Sequence, residues 1–420
     1  MFHRFAPRSA ALALLAALAL TGPVRTARAA DPVPAPDPAQ VLAQTLRSVL
    51  LADGLVADQV ILFPLYVLSA PAPLDVAAGV AGRNLRASEP EVKPGKELVR
   101  VANGEPKMVL LPAGSVLEGG KRDRMVRFDR LIPANDVADV EVLPAAMASD
   151  VRKDAVDFKL QDFLAPSYLR ETAQFTNSTS IVQRFVSHFM EFRNPSDKRA
   201  SLAAIGASDA LADYCLVCQR TFSEWPTKKG AGTVVGGIAV VRGRLQSLEI
   251  FANNQHLQDF FAPVLKSLSF PAAAIDLRAK KVGLPLPGKD EPAGTMEVAM
   301  KAAKELLASL AGATFTVRKT SPDFVGQAFT IRAKDGTRGS ALLLDGRLVH
   351  ASLYPDDPFE ASLYSQPLTP MEGEDASGDP TDEANRAELE RRQASGARLT
   401  PAEQRLLERL RSRPSIPGPH

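Results

Sequence analysis

The segment Glu118-Gly119-Gly120-Lys121-Arg122-Asp123-Arg124 is the densest run of chemistry-bearing residues in the chain. Adjacent glycines let backbone N–H groups approach an anion closely, and lysine or arginine beside them adds fixed positive charge. The pattern points to a site for phosphate or carboxylate formed by Gly119, Gly120, Lys121 and Arg124. Should a reaction occur there, Glu118 or Asp123 is the candidate general base. The alternative is an exposed turn whose charges pair with one another. A Walker A loop is excluded, because Arg122 stands where a Ser or Thr would reach magnesium. Read as a strand, residues 121–129 put Lys121, Asp123, Met125, Arg127 and Asp129 on one face.

Two further groups carry reactive side chains. Cys215 and Cys218 form a C-x-x-C pair, which admits a local disulfide, two packed thiols, thiol exchange or part of a metal knuckle. These are the chain's two cysteines. A zinc site needs about four ligands, and His188, His256 and His350 show no ligand spacing to the pair. No metal and no cofactor is therefore expected. His350 lies on an expected strand and could serve as a base or simply be packed. Trp225 beside Pro226 reads as a loop anchor. No G-x-S-x-G elbow, H-E-x-x-H helix or EF-hand loop occurs.

The elements that must position these groups are visible as periodicities. Residues 40–51 suit a short helix, and Val60–Leu68 reads as a buried strand broken at Pro64. Residues 98–130 continue in β style, with Asn103-Gly104 and Ala113-Gly114 as turn signals. Ile181, Val182, Phe185, Val186 and Phe189 share one helical face. A second helix capped by Asn254 carries Leu257, Phe260, Phe261, Val264, Leu265 and Leu268. A third, over residues 295–310, carries Met296, Met300, Ala303, Leu307 and Leu310.

From Ala328 to Tyr354, the pairs Asp335-Gly336 and Asp345-Gly346 separate three apolar-rich segments. Asp-Gly suits the left-handed positions of a type I′ turn, so a three-stranded meander is expected. The segment Gly236 to Leu245 matches Gly339 to Leu348, 103 residues further on. Duplication and convergence on one turn chemistry both account for it.

The ends differ from the body. Arg4 and Arg8, the apolar run Ser9–Leu20, Gly22-Pro23 and Ala27-Arg28-Ala29 have the order of a cleavable signal peptide over residues 1–29. The reading is a periplasmic or secreted protein with no membrane association after cleavage. Residues 30–54 form a Pro/Ala-rich linker and a short helix. Residues 359–420 are a low-complexity tail, with too little apolar content over 371–398 to order itself. Thr400-Pro401-Ala402-Glu403 starts a short helix over 400–412 that could hold a protein partner. At 45% hydrophobic and 23% charged the chain is ordinary in composition, and a net charge of +2 gives no reason to expect nucleic acid.

With these segments in place, the body resembles the ADP-ribosylglycohydrolase and rhodanese-phosphatase-superfamily-associated protein family, ARPP. The stretches that carry the resemblance are Leu110–Arg124 with Leu131-Ile132-Pro133, Ala165–Arg170, Gly236–Phe251 and Gly339–Tyr354, within a domain over 55–358. That domain divides into a β-rich part 55–145, an α+β part 160–275, and a helix plus β-meander 293–358. The family pattern places Gln where this chain has Arg122. The expected fold is α+β, with antiparallel hairpins and meanders packed on a few amphipathic helices. The expected function is binding of a small anionic ligand, with a nucleotide or ADP-ribose derivative as what the resemblance implies. A hydrolase acting on such a ligand and an envelope interaction protein working through its tail are the alternatives.

Overall fold

The computed structural model describes residues 37–57, 60–89, 97–176, 178–194, 196–223, 225, 232–282 and 292–356, with scattered helical positions between 386 and 411. The expected signal peptide, residues 30–36 of the expected linker and most of the expected tail lie outside the described residues. The body is α+β. Its first part comprises α1 (Pro38–Arg47), β1 (Leu50–Leu51), β2 (Leu55–Ala57) and β3 (Val60–Val67). Then follow β4 (Val76–Ala78), β5 (Leu85–Ser88), β6 (Leu98–Asn103), β7 (Met108–Leu111), β8 (Ser115–Gly120), β9 (Arg124–Val126), β10 (Arg130–Ile132), β11 (Val137–Pro144) and β12 (Val156–Leu164). The helices α2 (Ser167–Phe175), α3 (Thr179–Phe189), α4 (Leu202–Gly206) and α5 (Asp209–Phe222) come next. The chain continues with β13 (Thr233–Val241), β14 (Arg244–Phe251), α6 (Asn254–Val282), α7 (Pro292–Ser309), β15 (Thr314–Val317), β16 (Gln327–Arg332), β17 (Arg338–Leu344) and β18 (Arg347–Tyr354).

The strands make three bodies. Strands β11-β6-β5-β12-β8-β9 close into a barrel, β10-β7-β4 form a small sheet, and the large sheet runs β1-β3-β13-β14-β18-β17-β16-β15, with β2 also on β3. The barrel is filled by Val99, Val101, Leu117, Val126, Val140, Val142 and Phe158. One face of the large sheet packs Ile61, Phe63, Ile250, Leu343 and Leu353 against Leu42 and Leu46 of α1 and Ala299, Ala303 and Leu306 of α7. Its other face packs Leu62, Val241, Phe251 and Leu342 against Phe222 of α5 and Phe260 and Leu265 of α6. Among the described residues no helix is long and apolar enough to cross a membrane.

Most local expectations find their cause here, and several boundaries move. The first helix begins at Pro38, because Asp37 caps it by accepting from the Ala39 N–H at 3.0 Å and proline suits the first turn. Strand β3 is not broken at Pro64. That residue falls between the stretch paired with β2, Val60 to Leu62, and the stretch paired with β1, Leu65 to Tyr66. A missing N–H is tolerated in such a gap. The cap of α6 is Asn253, whose side chain accepts from the His256 N–H, whereas the Asn254 side chain donates to the carbonyl of Val234. The meander is present, with Asp345 and Gly346 both at positive φ as a type I′ turn requires. At Asp335-Gly336 only the glycine is left-handed, and the longer connection closes through Ala333 N–H to Thr337 O.

The sheet order reads as two halves meeting at β14–β18. Three features of different physical origin recur 103 residues apart. Arg242 and Gly243 take positive φ, as do Asp345 and Gly346. Each hairpin slips register once, between Ala239 and Val240 and between Leu342 and Leu343. A Cβ on Gly236 or Gly339 would stand 2.0 or 2.2 Å from the carbonyl oxygen of Glu249 or Ser352. A common turn chemistry would require the first feature alone, so the likeness of the two hairpins extends beyond the turn, and in the chain the barrel and α2 to α5 lie between β3 and β13.

Candidate functional site

The glycine-lysine segment ends β8 and enters β9 on the barrel wall, and the N–H groups of Gly119 and Lys121 and the Arg124 guanidinium are already engaged. The Gly119 N–H donates to the Asp123 carboxylate at 2.9 Å, and the Lys121 N–H donates to Glu89 at 2.8 Å. Arg152 donates to the Gly119 carbonyl at 2.7 Å and pairs with Asp123 at 2.6 Å. Arg124 sits 3.4 Å from Glu97 and 3.8 Å from Glu89. The chain's own carboxylates thus occupy the places expected for a guest anion's oxygens. Lys121 alone of the expected ligand residues is exposed.

The glycines have a packing cause. A Cβ on Gly119, which has φ +143°, would stand 2.5 Å from the Asp157 carbonyl of β12, and one on Gly120 would stand 2.4 Å from the Phe158 ring. Gly119→Ala is therefore expected to lower stability by about 1–3 kcal/mol, checked by urea unfolding. A neutral result would mean that β8 and β12 do not pair so closely.

The expected bases are likewise committed. Asp123 is fully buried in its pair with Arg152. Glu118 pairs with Arg199 and accepts from Gln161 at 2.7 Å. Of the alternatives for Cys215 and Cys218, the structure has two packed thiols: both are buried and unbonded on α5, and burial pushes the Cys215 thiol up to about 11. That thiol stays protonated at neutral pH and is a poor nucleophile. Among the described residues no group of three His, Cys, Asp or Glu side chains is placed to hold a metal ion.

What the sequence reading missed is a buried ionic network between the barrel and the large sheet. His350 donates from Nδ1 to Asp129 at 2.8 Å and from Nε2 to Glu249 at 3.1 Å. Arg170 grips Glu249 with both terminal nitrogens, at 2.6 and 3.2 Å, and donates from Nε to the Ala113 carbonyl at 3.1 Å. The Ala113 N–H donates back to Asp129 at 2.8 Å. Tyr354 packs its ring over Arg170 and donates to Ser352. All four charged side chains are at most 4% exposed.

Backbone geometry puts these groups together. The bulge at Val349 lets Leu348, Ala351 and Leu353 face the α1 and α7 layer while His350, Ser352 and Tyr354 face the other way. Gly114, at φ +87°, is the seat of Arg170, because a Cβ there would stand 2.5 Å from the arginine's Cγ. The stretches that carry the family resemblance meet at this network: Ala113 and Gly114, Arg170, Glu249 and His350 each come from one of them.

Electrostatics define what the network can do. Burial alone would lower the His350 pKa, but Asp129 and Glu249 outweigh it and raise it to about 9. Burial would raise Asp129 and Glu249, yet His350 holds the first below its ordinary range and Arg170 with His350 holds the second. Two carboxylates therefore face two cations. With both ring nitrogens donating, His350 has no lone pair for base chemistry, and of its two readings the packed one fits this geometry. The network clamps the barrel to the sheet.

A second cluster lies where residues 127–130 of the barrel side meet the loop 318–326 between β15 and β16. The Arg318 guanidinium stacks on Phe128 at 3.7 Å and reaches Phe324 at 5.6 Å. Arg127 covers Phe128 and Arg130 covers Phe324, each at 4.8 Å. Arg127 pairs with Glu141 at 2.5 Å and Arg130 with Asp323 at 2.6 Å. Arg318 makes no ion pair or side-chain hydrogen bond among the described residues, and burial lowers its pKa to about 10. The Nε of Arg130 is buried without a hydrogen-bond partner among them. A groove of about 410 Å³ at the barrel, lined by Asn84, Arg86, Asn103, Asn135 and Asp136 among others, includes none of these residues.

Residues 49–354 match the family model described as the ARG and Rhodanese-Phosphatase-superfamily-associated Protein domain. No curated protein and no solved structure matches the chain.

Proposed function

We propose a function for a chain that belongs to the ARG and Rhodanese-Phosphatase-superfamily-associated Protein domain family: an exported protein that binds a small anion at the Arg318 surface. One observation carries this reading. Arg318 is a partly buried guanidinium that makes no ion pair among the described residues, centred over the Phe128 ring, with Glu141 and Asp129 acting on it only at longer range. A cation partly removed from water with no direct ion pair is costly, and a guest anion would supply one. Stacking uses the face of the guanidinium and leaves its N–H edge for an oxyanion. At Gly119, Gly120, Lys121 and Arg124, by contrast, Asp123, Glu89 and Glu97 already meet the donors. Binding is favoured over hydrolysis because Glu118, Asp123 and His350 are all held in ion pairs. The export half of the proposal rests on the signal pattern of residues 1–29.

Calorimetric titration of the full chain with inorganic phosphate tests the site. Arg318→Gln is expected to remove charge-assisted hydrogen bonds worth about 1.5–3 kcal/mol, roughly a ten- to hundredfold loss of affinity. Lys121→Ala should leave the affinity unchanged. The reverse result, with Lys121→Ala abolishing binding and Arg318→Gln silent, would return the ligand to the glycine-lysine turn.

A further inference from the structure

The Arg318 surface contains a carboxylate of its own, in a place where it competes with any guest. Asp323 lies on the same loop as Arg318 and Phe324, and its carboxylate meets Arg130 at 2.6 Å while 55% of its side chain is exposed. Arg130 is almost wholly buried, so Asp323 covers the open end of a fixed cation. A hydrogen bond from Ser321, with Arg130 second, holds Asp323 below its ordinary range, so it is an anion at neutral pH. The pair is open to solvent on its carboxylate side, where water and salt compete with it. The pair Arg127–Glu141, on the far side of Phe128, has a less exposed carboxylate, 25% against 55%, and Arg127 is tied down by a further bond to the Ala173 carbonyl. Asp323 is thus the group that can leave.

Donor geometry narrows the class of guest. Arg318 offers its N–H edge, and Arg130 offers the terminal nitrogen that Asp323 now takes, with its buried Nε still lacking a hydrogen-bond partner among the described residues. A carboxylate has two oxygens and can satisfy one guanidinium fork. A phosphate group has a third oxygen and more charge, and can meet both arginines at once. We infer that the guest at this surface is a phosphate group, free or as a monoester, clamped by Arg318 and Arg130, and that Asp323 is a built-in competitor that the phosphate displaces. This rests on the anion-binding reading above and adds to it a ligand class and a residue that sets affinity.

Removing the competitor should strengthen binding, an effect that a merely structural aspartate would not produce. In titrations of the full chain with inorganic phosphate, Asp323→Asn is expected to tighten binding by about two- to fivefold, the range an exposed ion pair spans. The gain should shrink as salt is raised. Acetate should bind at least tenfold more weakly than phosphate. Asp323→Ser, which removes the carboxylate with a different side chain, should show the same gain, and unchanged thermal melting would show that both variants fold. If phosphate binds and is lost in Arg318→Gln, yet both Asp323 variants bind no tighter, the competitor is refuted while the anion site stands. Equal binding of acetate would refute the phosphate assignment. If neither anion binds the wild-type chain or the variants, this inference and the anion-binding reading fall together.

Discussion

Glu249→Ala is expected to cost about 3–5 kcal/mol of folding stability, the penalty for leaving buried charge without its partner. The carboxylate is held by both terminal nitrogens of Arg170 and by Nε2 of His350. Without it, two buried cations are left with Asp129 as their remaining carboxylate. The alanine also opens a void in the layer between sheet and barrel, which adds to the loss. Urea unfolding followed by circular dichroism measures the change. The double variant Glu249→Leu with Arg170→Leu should recover part of it, since replacing a buried pair by apolar residues is often neutral or favourable. A single-variant loss below about 1 kcal/mol would show that water reaches the network, contrary to the burial seen here.

Stability should also fall on the alkaline side of neutrality, earlier than lysine or tyrosine titration would cause. His350 has an ordinary value of 6.5 and is raised to about 9 in the fold. A raised value means that the folded state holds the proton more tightly. The contribution is complete below pH 6.5 and is lost as pH rises through about 9. A shift of that size corresponds to about 3 kcal/mol. Asp129 and Glu249 are lowered from 3.8 and 4.5, so their contribution is present above those values and disappears as pH falls below them. The network is therefore strongest between about pH 4.5 and 6.5. Urea midpoints measured from pH 5 to 10 should decline from 6.5 upward, and His350→Gln should flatten that limb. If the limb persists in His350→Gln, the titrating group lies elsewhere.

How much of this was legible depends on the range of each interaction. The stripe Ile181, Val182, Phe185, Val186 and Phe189 and the Asp345-Gly346 turn were readable because each is fixed by residues a few positions apart. The caps are equally local, yet the sequence reading began the first helix at residue 40 without its Asp37 cap and put the α6 cap at Asn254, one residue off. The glycine pair was correctly singled out as unusual. Its cause, however, is the approach of Asp157 and Phe158 on a strand about forty residues away, which adjacent residues do not encode.

His350 shows the limit most clearly. Strict alternation along its strand would place it on the same face as Leu348, and only the bulge at Val349 turns it toward Glu249. Its two carboxylates lie 221 and 101 residues away, so no spacing rule could find them. Arg318 was equally invisible, being one arginine among many until the loop 318–326 laid it on Phe128.

The sequence by itself determined the α+β class, the main helices and hairpins, the family, and the repeated turn, because periodicity and turn chemistry act locally along the chain. The tertiary structure decided which charges are neutralised from within and which make no ion pair. That distinction depends on burial and on partners brought together by the closed barrel and the meeting of β14 with β18, and a carboxylate's influence is set by distance in space rather than by position in the chain.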